Sequence, residues 1–416
     1  MRLDPRGDAD EGGDTVLRVL LLGFGALAVG TDAYVTAGLL PAVGRDLHEP
    51  ASVTGQLVTV FMLCYALLAP LVGAVLGRWG VRQVLIGALA LFCLANAGTA
   101  VAPSLPVLVV TRGLAGVAAG VFMPVAATAA AALAGPERRG RALTVVLGGL
   151  SSGTVIGVPG GLFLAGHAGW RAALWLVTGI GVVSLAGSLA LLPEVSGAAM
   201  PGLRERVVQL TDRRVAIAVL TTFLQTVASL GLYTYLVPVL DAAGVSAHQT
   251  ALWLWGVGGV TGSFLVGPLL DRTGRPGAQV AVLLAALALC LAPLPLLSGA
   301  AVLPLLVLWG AAGWAFVVPQ QHRLLGLRPS GGAAVLALNS SATYLGGSAG
   351  AALGGAVLSA GLAPRHLPLT AAAVACMACA LHLLGRRLVA GAPHPAPDGR
   401  PHPGAERNGD SHEVRS

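Results

Sequence analysis

The stretch GAVLGRWGVR, from Gly73 to Arg82, returns in the second half of the chain as GPLLDRTGRP, from Gly267 to Pro276. The two copies share glycine, leucine, arginine and glycine at matching offsets, and each follows the second long apolar segment of its half. Two halves with echoing loops are typical of membrane transporters that are built from repeated helical bundles. A repeated channel would instead need several copies of a short filter loop, and the sequence contains no such loop.

The composition excludes a soluble globular domain. Of the 416 residues, 55% are hydrophobic and only 10% are charged, and the mean hydropathy is +0.80, whereas soluble domains carry about 25% charged residues. A membrane-spanning helix needs about 20 apolar residues, and twelve segments of the chain qualify. We predict an all-α integral membrane protein with spans at 16–40, 55–76, 83–101, 106–133, 142–166, 171–192, 215–240, 249–270, 278–298, 301–320, 333–360 and 367–385.

A polar stretch divides these spans into two groups of six, which predicts two six-helix bundles. We expect a cytoplasmic N-terminal tail (1–15), an N-terminal bundle (16–192), a cytoplasmic linker (193–214), a C-terminal bundle (215–388) and a cytoplasmic tail (389–416). The last segment is rich in proline, glycine and charge, which is typical of disorder.

The arginines predict the orientation in the membrane. All 25 basic residues are arginine, and thirteen of those lie in the loops on one side against three on the other, Arg45, Arg171 and Arg365. Positive charge accumulates in cytoplasmic loops. We therefore expect a multi-pass protein of the bacterial inner (plasma) membrane with both termini on the cytoplasmic side. This placement also explains the net charge of +7 without a nucleic-acid partner.

Two charges stand inside the predicted spans of the first half. Asp32 is the only charged residue between Val19 and Gly44, and Arg112 is alone between Val101 and Gly135. Asp32 should lie roughly 12 Å, and Arg112 roughly 9 Å, below the outer surface at 1.5 Å per residue. Ionisable groups at this depth usually serve function, so we expect the two side chains to face a central cavity, in contact directly or through water. A static ion pair that joins the two spans is the structural alternative.

The repeated loop resembles the G-x-L-x-D-R-x-G-R-R signature of the major facilitator superfamily, and within it the twelve-helix drug:proton antiporters of the chloramphenicol-resistance and sugar- or purine-efflux type. The first copy has Gly77 where the signature has aspartate, and the second has Pro276 at the last arginine. The resemblance implies loops that gate the inner face, although a simple positively charged turn would look the same. The matching residues are Gly73, Arg78, Gly80, Arg82, Gly267, Asp271, Arg272, Gly274 and Arg275.

Spans four and five carry further similarity. Arg112-x-x-Ala115-Gly116 resembles the superfamily's span-four motif, in which the arginine is linked to proton transfer. The sequence GGLSSGTVIGVPGG resembles the antiporter motif of span five, with glycines at every fourth position and a proline. Small residues at this spacing let another helix approach closely, so the stretch predicts a packing ridge whether or not it signals export. Its members are Gly149, Gly153, Gly157, Pro159 and Gly161.

Aromatic and amide side chains in the spans are candidates for a substrate cavity, because drug-sized pockets are mostly apolar with a few polar groups. Phe61 and Tyr65 lie four residues apart and should share one helix face. Each candidate alone is equally compatible with ordinary packing. The candidates are Tyr34, Phe61, Tyr65, Gln225, Tyr233, Tyr235, Trp314, Gln320, Asn339 and Tyr344.

Together these features predict a secondary transporter that exports a small amphipathic, chloramphenicol-like drug in exchange for protons, and hence a role in multidrug efflux and antibiotic resistance. An exporter of sugars or purine nucleosides, and a polytopic membrane protein without proton coupling, remain open alternatives. No metal-binding or nucleotide-binding motif is present, so neither a cofactor nor an enzymatic activity is expected. The expected partners are a small molecule, protons and the lipid bilayer, with the chain acting as a monomer.

Overall fold

The computed structural model describes residues 5–76, 79–195, 203–328 and 331–390, and within them the regular structure is helical. The predicted tail from 391 onward and the loop residue Arg78 lie outside the described residues. The helices of the first half run through six crossings, numbered spans 1 to 6. Their bounds are Pro5–Leu47 for span 1, Gln56–Leu63 with Cys64–Leu68 and Ala69–Leu76 for span 2, Val81–Ala100 for span 3, Leu105–Ser152 with Gly153–Gly157 and Val158–Ala168 for spans 4 and 5, and Trp170–Leu191 for span 6.

The second half repeats this arrangement as spans 7 to 12, after a short linker helix at Leu203–Val208. Span 7 is interrupted at Tyr235, and span 10 at Phe316. The bounds are Arg213–Thr234 with Leu236–Ala242 for span 7, His248–Thr273 for span 8, Pro276–Leu291 for span 9, Leu303–Ala315 with Val317–Leu327 for span 10, Gly332–Ser359 for span 11 and Leu367–Ala390 for span 12.

By length and hydropathy alone, ten stretches of the described chain qualify as membrane spans. One of them, Leu105–Ala168, has 64 residues and would be about 96 Å long, three times the hydrocarbon thickness of a bilayer. Gly135 breaks it with φ 72° and ψ 174°, so it holds two crossings. Span 11 is long enough at 28 residues, but its serine, threonine, asparagine and glycine content lowers its hydropathy. With these two, the helices are consistent with twelve crossings.

Several helices extend beyond the predicted spans. The helix of span 1 begins at Pro5 and continues to Leu47, whereas the apolar segment covers only 16–40. Proline is tolerated in the first turn of a helix because the missing N–H would have no partner there. A helix does not have to end where its sequence stops being apolar, so the hydropathy pattern underestimates its length.

The outer surface of the bundles is apolar, as a bilayer requires. Large hydrophobic side chains such as Phe264, Leu289 and Leu94 are 77%, 74% and 70% exposed. In water such a belt would be unfavourable, whereas in lipid it is not. The surface therefore fits a multi-pass membrane protein.

Within the first half, spans 1 and 5 pack backbone to backbone along the predicted glycine ridge. A Cβ at Gly149 would clash with the carbonyl oxygen of Gly23, and one at Gly153 with the carbonyl of Leu27. The hydroxyl of Thr31 donates to the carbonyl oxygen of Gly153 at 3.2 Å. A π-helical turn, Gly153–Gly157, ends two residues before Pro159, and local π adjustments can satisfy backbone groups that a proline frees in a membrane helix.

The second half contains an equivalent ridge that the sequence reasoning missed. On span 11, a Cβ at Gly346 would clash with Phe223 and Thr226, and one at Gly350 would lie 2.5 Å from the carbonyl oxygen of Val227. The signal was available, because GGSAGAALGG at 346–355 places glycines four residues apart. The pairs 1–5 and 7–11 thus correspond, as expected for a repeated bundle.

We predict that Gly149→Val lowers the thermal unfolding temperature (Tm) of the purified protein, whereas Gly148→Val does not. A side chain at Gly149 meets the backbone of span 1, and overpacking typically costs about 1–3 kcal/mol. A Cβ at Gly148 would meet nothing within 4 Å. Thermal unfolding in detergent, with the monodisperse fraction measured by size-exclusion chromatography, tests this, and equal Tm values for both variants would contradict it.

Candidate functional site

The two predicted intramembrane charges form an ion pair. Arg112 Nη1 of span 4 lies 2.7 Å from Asp32 Oδ1 of span 1, and the two side chains are 1% and 0% exposed. Both residues belong to the first half, so the ion pair joins two helices of the same bundle. The two side chains, expected to meet directly or through water, are in direct contact; that they face a central cavity stays a prediction.

Two further spans complete the surroundings of Arg112. Asn96 of span 3 accepts from Arg112 Nη1 at 3.4 Å, and the guanidinium carbon lies 4.4 Å from the ring centre of Phe61 on span 2. An aromatic face attracts a cation most when water is excluded. Arg112 therefore keeps favourable partners besides Asp32. Asn96 was missed by the sequence reasoning, since nothing distinguishes a lone asparagine from one that is exposed.

The ion pair leaves hydrogen-bonding capacity unused. Asp32 Oδ2 and Arg112 Nε are both buried and have no partner among the described residues. Buried polar atoms without a partner are rare and costly. Oδ2 therefore has unused hydrogen-bonding capacity, while Oδ1 accepts from Arg112.

A cluster of aromatic rings forms around Tyr34, which lies two residues after Asp32 on span 1. The ring centre of Tyr34 lies 5.9 Å from that of Tyr233, 5.8 Å from that of Trp314 and 6.2 Å from that of Trp255. Three of these residues were predicted to line a cavity, and the structure brings them together. Trp255, which is 1% exposed, was missed because an aromatic residue in an apolar span gives no sign of which way it faces.

A second aromatic contact joins spans 2 and 11. Tyr65 and Tyr344 stack with 3.6 Å between ring centres, and Phe61 lies 6.5 Å from Tyr65. The shared face of Phe61 and Tyr65 is therefore confirmed, and Phe61 connects this stack to Arg112.

The predicted amide residues lie elsewhere, in hydrogen bonds between helices of the second half. Gln225 donates to the carbonyl of Gly313 at 3.3 Å. Thr222 donates to Asn339 Oδ1 at 2.7 Å and accepts from Gln320 Nε2 at 3.0 Å. No hydrogen bond joins Gln225 or Asn339 to the aromatic cluster in the described part of the chain, and a role in lining the same cavity stays a prediction.

The first loop fastens the end of span 6. Arg82 donates from Nε to the carbonyl of Leu192 at 2.6 Å and from Nη2 to that of Leu189 at 2.9 Å. The last carbonyls of a helix lack partners in the helix itself, and a cation there also complements the helix dipole. Gly80 packs against Glu194, since a Cβ built on the glycine would lie 2.9 Å from a carboxylate oxygen of Glu194. Gly73 lies within the helix Ala69–Leu76.

The loop after span 8, the second copy of the repeat, makes different contacts from the first copy. Gly274 ends span 8 in the left-handed conformation at φ 58°, whereas Asp271, Arg272 and Arg275 are exposed, and Asp271 makes no ion pair within the part of the chain that the structure describes. Gly267 lies inside span 8 with open space around it. The gating role of either loop stays a prediction.

The two halves meet mainly at the face opposite the linker, which we call the far face; the other is the linker face. Ser348 donates to the carbonyl of Thr59 at 3.0 Å, and Gln249 to that of Pro159 at 3.4 Å. Tyr235 of span 7 lies against Gly55 of span 2. A cavity of about 230 Å³ remains among Arg45, Glu49, Asp241 and their neighbours, beyond the aromatic cluster. The structure is thus closed at the far face.

Comparison with known proteins decides the family. The family model described as Major Facilitator Superfamily matches residues 22–351. The chain belongs to the major facilitator superfamily. It is 32% identical over 379 residues to the inner membrane transport protein YdhP of Escherichia coli K12, an alignment that covers 89% of this chain and 96% of that protein. It is also 36% identical over 273 residues to a chloramphenicol resistance protein of Streptomyces lividans, covering 64% of this chain and 69% of that one.

Solved structures of the superfamily share the fold. A bacterial homologue of the human lysosomal transporter Spinster, in an inward-facing and unoccupied conformation, superposes with a TM-score of 0.72 at 16% identity and covers 91% of this chain and 97% of its own. A variant of the nucleoside transporter NupG also gives 0.72, at 13% identity, over 89% of this chain and 99% of its own. At these identities the similarity establishes the fold alone, and it confirms the predicted all-α major facilitator fold, with which twelve helices are consistent.

We predict that Arg82→Leu accelerates hydrogen exchange at the end of span 6. Without the arginine, the carbonyls of Leu189 and Leu192 lose their donors, and the last turn should fray. Exchange measured by mass spectrometry on peptides covering 186–195 tests this. Arg365→Leu, at the far face where Arg365 donates to Pro295, is the control and should leave these peptides unchanged, and equal exchange in both variants would contradict the capping role.

We predict that Asp32→Asn and Arg112→Gln each lower the Tm, and that the double variant recovers part of the loss. Removing one partner of a buried ion pair leaves an uncompensated charge and costs about 3–5 kcal/mol, whereas removing both leaves none. A dye that reports exposure of the buried thiols Cys93 and Cys290 follows the unfolding. Strictly additive losses in Tm would mean that the two side chains do not interact.

Proposed function

We propose that this chain exports a small amphipathic, chloramphenicol-like molecule in exchange for protons. The observation that carries the proposal is the buried pair of Asp32 and Arg112, in which one carboxylate oxygen has no partner. A permanently charged pair with all its atoms satisfied would be a structural element only. The free oxygen gives the pair a protonation site.

In this proposal the ion pair supplies the chemistry that couples transport to protons. While Asp32 is ionised it holds Arg112 at 2.7 Å. Protonation removes the charge attraction, and Arg112 then keeps the face of Phe61 and the amide of Asn96 as partners. Phe61 also contacts Tyr65, which stacks on Tyr344 of the second half. A shift of Arg112 therefore displaces Phe61 and, through Tyr65, changes the contact between the halves.

The substrate class rests on the aromatic cluster and on the relatives. Tyr233, Trp255 and Trp314, among which Tyr34 lies, offer a largely apolar surface with a few polar groups, as small-molecule sites do. One relative is described as a chloramphenicol resistance protein. We extend its substrate to this chain as part of the proposal, which assigns transport and not catalysis.

The orientation and assembly belong to the same proposal. The linker face is assigned to the cytoplasm because the arginine-rich loops lie there, so substrate enters from the linker face and leaves through the far face. A single chain contains both bundles, the ion pair and the aromatic cluster. We therefore propose that the monomer is the functional unit, with lipid, protons and the small molecule as its partners.

Transport by the purified protein in liposomes under an imposed pH gradient tests the proposal. We expect proton-driven movement of chloramphenicol that falls to background in Asp32→Asn, because the variant cannot exchange a proton. Inosine and arabinose serve as the purine nucleoside and the sugar. Movement of either of these in place of chloramphenicol would replace the substrate while keeping the proton coupling.

Asp46→Asn is the matched control. Asp46 lies on the helix of span 1 but at its far end, where it is 42% exposed and pairs with Arg171, and we expect full transport. If movement does not depend on the gradient and survives Asp32→Asn, the pair of Asp32 and Arg112 is structural and the chain is not an antiporter.

A further inference from the structure

Three aromatic rings of the second half lie around the ring of Tyr34. Tyr233 of span 7 and Trp255 of span 8 stack with 4.2 Å between ring centres, and Trp314 of span 10 meets Trp255 edge-on at 5.7 Å and 85°. Gly259 makes room for the indole of Trp314, because a Cβ there would lie 2.8 Å from the ring. We call these three rings the aromatic recess.

One polar atom of the recess has no partner. Trp255 Nε1 is buried and lacks an acceptor among the described residues. The neighbouring Trp309 shows the usual arrangement, since its Nε1 donates to Ser229 Oγ at 2.9 Å. Indole N–H groups normally find an acceptor when they are buried. The unpaired donor therefore marks a place where another molecule can supply one.

The recess is occupied by a side chain of the other half. Tyr34 lies 5.8–6.2 Å, centre to centre, from the rings of Tyr233, Trp255 and Trp314, and Tyr233 donates to the carbonyl oxygen of Tyr34 at 3.4 Å. Tyr34 and Trp314 are only half-buried, so the edge of the recess is accessible. Since Tyr34 belongs to the first half, it must leave the recess when the halves separate at the far face.

We propose that the aromatic recess binds an aromatic ring of the transported molecule in the place that Tyr34 vacates, with Trp255 Nε1 donating a hydrogen bond to an acceptor on that molecule. The ligand class is a neutral molecule that carries an aromatic ring and a nearby oxygen or nitrogen acceptor. This inference rests on the proposed export function and specifies its substrate.

The charge of the ligand follows from the neighbouring groups. Aromatic faces also attract organic cations, but a cation here would need a carboxylate, and the carboxylate of Asp32 is held by Arg112. A neutral ring has no such need. Stacking against Tyr or Trp rings and one hydrogen bond are the interactions that the recess offers.

Tyr34 and the ligand exclude each other. When the far face closes, the phenol ring returns to the recess and displaces the ligand ring. Because Tyr34 lies two residues after Asp32 on span 1, movement of this helix joins ligand displacement to the state of the ion pair.

The test is isothermal titration of the purified chain in detergent with chloramphenicol, which carries a nitrophenyl ring. Trp255→Phe keeps an aromatic ring but loses the donor, and we expect its Kd to rise about tenfold, since a buried acceptor is left without a partner. Trp253→Phe, on the same helix but 49% exposed, is the control and should bind as the wild type. Tyr34→Ala should lower the Kd, because the competing ring is gone.

The signs of these changes decide the proposal. An equal Kd for Trp255→Phe and Trp253→Phe overturns the role of the indole donor. A raised Kd for Tyr34→Ala makes Tyr34 a ligand contact and overturns mutual exclusion. If Trp255→Phe is not monodisperse, the sign of the Tyr34→Ala effect still decides. Choline and arabinose are titrated as a cation and a non-aromatic molecule, and binding of either in preference to chloramphenicol overturns the ligand class.

The outcome remains distinguishable from failure of the export function. Chloramphenicol binding that weakens in Trp255→Phe, without gradient-driven transport, supports the recess and rejects antiport. Gradient-driven transport of arabinose that vanishes in Asp32→Asn supports antiport and rejects the recess. Absence of chloramphenicol binding by the wild type rejects the recess as well.

Discussion

The ion pair between Asp32 and Arg112 is the constraint on which the rest of the first half depends. Two charges that are 0% and 1% exposed persist inside a membrane protein only if their partners are held in place. Span 1 is held by the glycine ridge of span 5, and Arg112 is flanked by Asn96 and Phe61. Close helix packing is thus a condition of the site, because a looser bundle would separate the charges or admit water.

The position of the pair within one half shapes how it can act. It does not bridge the two bundles, so its formation or loss cannot by itself open or close the protein. Influence on the other half must pass through contacts that lead from the pair to the second half. Phe61 contacts both Arg112 and Tyr65, which stacks on Tyr344 of the second half. The helix of span 1 carries both Asp32 and Tyr34, whose ring contacts Tyr233.

The isolated charges, the glycine spacing and the run lengths of apolar residues predicted the buried ion pair, the packing ridge and the helical membrane fold. Each of these signals is local: a lone carboxylate in an apolar run, a glycine every fourth residue, and a span-length segment. The aromatic cluster was only partly predictable. In a helix that is apolar all round, periodicity does not show which face is buried, so Trp255 and Trp253 look alike in the sequence although one is 1% and the other 49% exposed. Asn96 and the inter-helix bonds of Gln225 and Asn339 depend on helix rotation in the same way.

The two bundles correspond in structure but differ in chemistry. In the first half, span 1 is joined to span 4 by an ion pair; in the second half, span 7 is joined to span 10 by neutral groups, since Gln320 donates to Thr222 and to the carbonyl of Ala218 at 2.6 Å. Amides and hydroxyls do not change charge near neutral pH, whereas a carboxyl can when burial and neighbours shift its balance. If the chain is an antiporter, Asp32 is therefore the group at these two junctions that can exchange a proton, and the aromatic rings of spans 7, 8 and 10 place substrate recognition in the second half. Tyr34 then matters because its ring lies among those rings and it follows, by two residues on the same helix, the carboxylate that would carry the proton.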